Sequence, residues 1–247
     1  MLEIIKNKRW FGWEPTKDTV AAVITEIVMI GAFFTLNHLL AGNVLNLLYE
    51  LIMFLAIVIF PVWWIVWYRG QPLSELGITK KHWAPSLVIS ILLFLFFLSG
   101  LWKNYGSNGS LPAILVFGLV SLWEPFFVYG WLQLRFDRAF GIIPGMALAG
   151  ICIGVYHIGT DPAGTVLMFI MLGIVFAAIF RLTSSLLILW PLVWGAATAF
   201  SMLQGGRIFG WDDALFMALI LAIQAGFIFY AWKRVGRKLP QNVVNYV

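Results

Sequence analysis

The stretch Leu111–Trp131, L-P-A-I-L-V-F-G-L-V-S-L-W-E-P-F-F-V-Y-G-W, is apolar along nearly its whole length and carries one ionisable group, Glu124. As a helix it would span about 30 Å, the thickness of a bilayer's hydrocarbon core. An ionised carboxylate at that depth costs about 2.5 kcal/mol or more on insertion scales, so such a residue marks a functional site by default. The plainer alternative is a protonated Glu that hydrogen-bonds a neighbouring helix and only holds the bundle together.

The rest of the chain has the same character. Of its 247 residues 62% are hydrophobic and 11% charged, with a mean hydropathy of +0.92. A soluble domain of this size needs far more polar surface. Eight apolar runs of membrane-spanning length follow one another, at 19–41, 45–68, 85–102, 111–134, 144–160, 164–180, 184–203 and 214–232. With the N-terminus placed in the cytoplasm, 14 of the 16 Lys and Arg fall on the inner side, and Lys103 and Arg207 are the two outside. That asymmetry is the positive-inside pattern for an even number of spans. The fold class expected is therefore all-α: a polytopic protein of the cell membrane, an eight-transmembrane-helix bundle with cytoplasmic N- and C-termini. Residues 1–18 form a cytoplasmic or interfacial segment, 19–232 a single membrane domain, and 233–247 a basic cytoplasmic tail.

The net charge of +5 reads as topology and attraction to anionic inner-leaflet lipid, not as nucleic-acid binding. Thirteen Trp cluster near run ends, as at Trp63, Trp64, Trp67 and Trp83, where interfacial anchors belong. The first run is too long for a signal-peptide core, which predicts no cleavage. Cys152 is the single cysteine, excluding intramolecular disulfides and Cys-rich metal sites. The N-terminal stretch I-I-K-N-K-R-W-F-G-W-E-P reads either as an amphipathic segment on the inner membrane surface, with Trp10, Phe11 and Trp13 dipping in, or as an ordinary helix flank.

Within the runs the ionisable residues are Glu26, His38, Glu50, Glu124 and His157. If the fourth helix continues to Arg135 as its cytoplasmic anchor, Glu124 lies about 17 Å from the inner end. If the fifth starts at Pro144, His157 lies about 20 Å from the same side. A Glu and a His at matching depth on adjacent helices can share a proton or polarise water. His38 and Glu50 read as an outer-side structural pair, and Glu26 as a neutral acid hydrogen-bonded across helices.

The order of these residues resembles the CPBP family of intramembrane proteases, the CAAX-processing and bacteriocin-processing group. W-E-P-F-F-V-Y-G-W-L-Q is similar to the family's first motif, E-E-x-x-F-R-G-x-L, and G-V-Y-H-I-G to the second, F-x-x-x-H. L-G-I-V-F-A-A-I-F-R-L-T-S-S-L-L-I-L-W-P resembles the run before the third, H-x-x-x-N or H-x-x-x-D, and P-L-S-E-L-G-I-T-K-K-H-W the polar loop before the core. The likeness covers a core of about residues 70–203. It places Glu124 on the water-activating glutamate and His157 on the second-motif histidine. Pro125 replaces the second glutamate, Tyr129 the arginine, Ile153 the phenylalanine, Trp194 the third-motif histidine and Thr198 its Asn or Asp.

What the resemblance implies is an endopeptidase in which Glu124 acts as base towards water and His157 positions it, cleaving a prenylated or membrane peptide. Oxyanion stabilisation would fall to Trp194, Thr198 and Tyr129. One indole N–H and two hydroxyls carry no positive charge, and loss of one oxyanion donor costs about 10²–10³-fold in rate. The expectation is thus a degenerate protease site in a non-catalytic scaffold, immunity factor or accessory subunit of a membrane complex. An active CAAX-type endopeptidase using Glu124 and His157 is the first alternative, and a transporter or other membrane function the second. Expected partners are the lipid bilayer and either a membrane-protein complex or a peptide substrate, with no nucleic acid. No cofactor is expected, and no metal, because one His and one Glu fall short of the three protein ligands a zinc-protease site needs. His157 and Asp161 form an H-x-x-x-D face, but H-I-G-T-D-P reads as a helix end with Asp161 and Pro162 opening the next element.

Overall fold

The fold was described from a computed structural model covering residues 9–38, 44–104, 111–158, 161–204 and 211–238. Among them the chain is helical, with a single isolated bridge, Ile158 to Asp161, as its only β feature. Nine helices are used below: α1 Lys17–His38, α2 Val44–Trp63, α3 Trp83–Asn104, α4 Leu111–Val120, α5 Leu134–Phe140, α6 Ile142–Val155, α7 Ala163–Thr183, α8 Val193–Gln204 and α9 Trp211–Lys238. Two π-helical segments, Trp64–Tyr68 and Phe126–Gln133, extend α2 and lead into α5. Arg207 lies outside the described residues, as do the side chains of His38 and Glu50.

Four helical segments are long and apolar enough to cross a membrane: Lys17–Thr35, Leu115–Phe140, Ala163–Thr183 and Ala214–Arg234. Ala56–Tyr68, Trp83–Ser99 and Ile142–Val155 are apolar but shorter. Their outward faces are greasy. On α7, Leu167, Met171 and Val175 recur every fourth residue and are each more than half exposed, a stripe that water would penalise and lipid would not. Polar groups turn inward instead: Glu26, Ser86, Ser90, Gln133, Arg135 and Gln224 are all buried.

Three of the eight runs are not the continuous helices expected. Run 111–134 breaks at Ser121–Leu122. The Ser121 amide and hydroxyl both donate to the Phe117 carbonyl, and the Leu122 amide bonds back to Val120, which ends the ladder. The chain restarts as a helical turn at Trp123–Pro125, where proline suits a first turn because its missing N–H is not needed there. Run 144–160 yields α6, whose 14 residues reach about 21 Å. It ends as the ladder tightens to i→i−3 bonds, His157 to Gly154 and Ile158 to Val155, and Pro162 caps the start of α7. Run 184–203 opens with a short 3₁₀ turn, Leu186–Ile188, and becomes helical only after Pro191, at Val193. Pro61, inside α2, likewise precedes the π segment Trp64–Tyr68, since its ring displaces a helical hydrogen bond and the register loosens.

The chain divides into two compact units, one of residues 1–61 with 126–184, the other of 62–125 with 185–247. In the first, α6 and α7 lie against each other at Gly150 and Gly173. A Cβ on Gly173 would come 2.8 Å from the Gly150 Cα. Phe126, Phe127, Tyr129, Trp131, Ala177 and Phe180 are buried in this unit. In the second, α8 packs on α3 and α4, and α4 on α9, around Phe117, Ala196 and Ala214. The polar loop 70–82 is pinned there by backbone: the Leu186 amide donates to Gly77 and the Ser185 hydroxyl to Thr79.

A close backbone contact in the second unit joins α4 to α8, where a Cβ on Gly118 would lie 2.9 Å from the Gly195 Cα. Gly195→Ala should therefore lower the thermal midpoint in detergent by the equivalent of about 1–3 kcal/mol. Gly226→Ala, with nothing within 4 Å of the added methyl, should leave the midpoint unchanged or slightly raise it. Equal midpoints for the two variants would argue against so close an approach of α4 and α8.

Candidate functional site

Glu124 is the second residue of the helical restart after the Ser121–Leu122 break, partly buried. The close approach of Gly118 to Gly195 fixes what faces it. With no side chain between the two backbones, α8 brings the residue before Gly195, Trp194, against the restart. The Trp194 Nε1–H donates to Glu124 Oε2 at 3.1 Å. A second indole, Trp190, donates to the Leu119 carbonyl at 3.0 Å and ties the start of this arm to α4. Thr198 stands one turn beyond Trp194 on α8, partly buried. Two positions that sequence reasoning assigned to one site, 70 residues apart, are thus joined by a hydrogen bond within the second unit.

Tyr129 and His157 belong to the first unit. Tyr129 is wholly buried in the π segment; its hydroxyl faces the Gly173 carbonyl at 3.5 Å and its ring lies near Phe180. His157 is not on a membrane helix, contrary to the depth estimate, but in the turn after α6. Its Nδ1 lies 3.0 Å from Asp161 Oδ2, and its ring packs on Phe169 and Tyr156. A carboxylate at Nδ1 favours the tautomer with the proton there and makes Nε2 the accepting nitrogen.

Several polar residues of the first unit escaped sequence reasoning. Arg135, expected as a cytoplasmic anchor, is 1% exposed. Its guanidinium lies 4.7 Å from the centre of the Trp131 ring and donates to the Gly130 carbonyl at 3.0 Å. The Trp131 indole donates to Thr25 Oγ1 at 2.9 Å, and Gln133 Nε2 to the Ala177 carbonyl at 3.0 Å. Asp137 pairs with Arg181 at 3.3 Å. The available signal was the i, i+4 spacing of Trp131 and Arg135, which suits an indole under a cation. Glu26, read as bonded across helices, is buried facing the Cys152 thiol of α6, with neither oxygen in hydrogen-bond geometry.

Among the described residues no three His, Cys, Asp or Glu side chains converge in a way that could hold a metal ion. No family profile, curated protein or solved structure matches the chain. The chemistry on display is local: a carboxylate held by an indole, and an imidazole held by a carboxylate.

The first of these contacts is open to direct observation. Among the indole ¹H–¹⁵N signals of the thirteen Trp, the one lost in Trp194→Phe should be the one displaced most by Glu124→Gln. If Glu124→Gln leaves that signal in place, the hydrogen bond is absent. Glu124→Ala, which leaves a buried N–H without an acceptor, should cost about 1–3 kcal/mol of stability.

Proposed function

We propose that this chain is an eight-span membrane protein with both termini cytoplasmic, CPBP-like in motif order, which works without catalysis as a scaffold, immunity or accessory subunit of a membrane complex. The observation that supports this reading is the hydrogen bond from Trp194 to Glu124. A general base needs an oxygen in reach of the proton it removes. Here one carboxylate oxygen is engaged by an indole N–H, and the bulk of the indole stands where the family likeness puts a small polar ring. The positions of the missing motif residues, Pro125, Tyr129, Trp194 and Thr198, offer no cation to an oxyanion.

One observation favours the hydrolytic alternative. The His157–Asp161 pair has the orientation that a proton-shuttling imidazole requires. In that reading Glu124 takes a proton from water, the water oxygen adds to the scissile carbonyl, and His157 Nε2 relays the proton to the departing amine. It requires Glu124 and His157 to serve the same water.

The two readings part on one variant. In the scaffold reading, Glu124→Gln keeps normal abundance, the native protein co-purifies with a stoichiometric membrane partner in mild detergent, and prenylated peptides are not cleaved. Robust wild-type cleavage that Glu124→Gln abolishes would overturn it. Rebuilding the third motif, Trp194→His with Thr198→Asn, would on this reading release the carboxylate and restore at most weak peptidase activity, since a displacement of about 1 Å costs about 100-fold. The span count has its own test on a Cys152→Ser background. A cysteine at Asn108 should label only from outside and one at Ser74 only from the cytoplasm; the reverse at either site sinks the topology.

A further inference from the structure

Residues 9–16, the described part of the N-terminal stretch with 4–8 lying outside the described residues, are not helical. They run as an extended strap, hydrogen-bonded by backbone to the turn between α5 and α6. The Gly12 and Glu14 amides donate to Phe140 and Ala139 at 2.8 and 2.7 Å, and the Ile142 and Ile143 amides donate to Arg9 and Trp10 at 3.1 and 3.2 Å. Gly141 makes the docking possible. Its φ is +92°, and a Cβ there would sit 2.6 Å from the Trp10 carbonyl oxygen. So firmly held a strap nonetheless leaves Trp10, Phe11 and Trp13 exposed, at 51, 64 and 75%.

We propose that this strap is a lipid-docking surface, with the three aromatic side chains seated in the headgroup–acyl boundary of a phospholipid bilayer. Amphipathic rings on a polar, hydrogen-bonded backbone suit that layer better than either bulk water or the hydrocarbon core. The strap also leads directly into α1, one of the four segments able to cross a membrane, which places it at the edge of the hydrocarbon. Its charge separates it from a lipid-phosphate clamp. Arg9 is committed within the strap, forming an ion pair with Glu14 while its Nε donates to the Phe11 carbonyl at 2.9 Å. Aromatic insertion, not an Arg9–phosphate contact, therefore holds the surface. Because the strap is bonded on both sides of Gly141, the bilayer surface sets the height of the α5–α6 turn through the chain's own N-terminal segment.

The inference rests on the membrane reading of the chain and not on the role of Glu124. It is tested on the full chain, Cys152→Ser, in nanodiscs of neutral phosphatidylcholine and of a mixture with anionic phosphatidylglycerol. Nitroxide labels at Phe11→Cys and Trp13→Cys should be several-fold more accessible to oxygen than to a water-soluble nickel chelate, about 5–10 Å into the boundary, equally in both lipids. A label at Ser74→Cys gives the value for water. Adding Glu14→Gln, which releases Arg9 but keeps the backbone bonds, should make the depth sensitive to the anionic lipid. Labels that meet the chelate as freely as Ser74→Cys, that sink only with anionic lipid, or that are shielded from both reagents would each overturn the proposal; shielding would mean that protein covers the strap. Failure to enter nanodiscs would instead count against the membrane reading itself.

Discussion

The backbones of α4 and α8 meet where Gly118 faces Gly195, and the candidate site depends on that contact. A Cβ at either position would come within 3 Å of the facing backbone, so a side chain there would push the helices apart. That movement would strain the Trp194–Glu124 and Trp190–Leu119 hydrogen bonds. Small residues are how membrane helices approach closely, because lipid gives apolar side chains no reason to prefer one another. The first unit uses the same device at Gly150 and Gly173, where the Tyr129 hydroxyl faces the Gly173 carbonyl. Close packing came first in this architecture, and polar chemistry occupies what it leaves open.

A second constraint governs that chemistry. Inside lipid a polar group must find its partner within the protein, since there is no water to take its place. Several described polar groups meet this through indoles and backbone carbonyls: Trp194 to Glu124, Trp131 to Thr25, Gln133 to Ala177, Arg135 to Gly130. The π segment Phe126–Gln133 contributes to three of these four arrangements, through Gly130, Trp131 and Gln133. An indole is well suited to the task. It brings one N–H and no charge, so it satisfies a carboxylate without asking for a partner of its own.

Much of this was legible in the sequence, for definite reasons. Apolar runs and buried polar residues report the solvent directly, so the helical class and the membrane character could be read from composition and run length. Backbone breaks could not. Ser121 ends a helix through a hydroxyl bond to Phe117, and serine in an apolar run carries no mark of doing so. The depth estimates for Glu124 and His157 assumed regular α-helices, whereas Phe126–Gln133, between Glu124 and Arg135, is π-helical and α6 ends two residues before His157. Trp194 and Glu124 meet even so, because the glycine contact, not helix length, sets their approach. Arg135 was misread for a different reason: positive-inside counting treats every arginine as solvated, and this one lies over Trp131.

The division of the chain into two units, each made of two separated stretches, sets an order on synthesis. Residues 62–125 of the second unit emerge while the first is unfinished, and they must wait until residues 185–247 are made. In the membrane reading proposed above, Glu124 therefore enters the bilayer 70 residues ahead of the indole that satisfies it. During that interval its carboxyl group must stay protonated, remain near water at the insertion channel, or be shielded by a chaperone. Newly made chains stalled between residues 125 and 194 are the species most exposed to quality control, and a mutation that delays α8 would act there before it altered the finished fold.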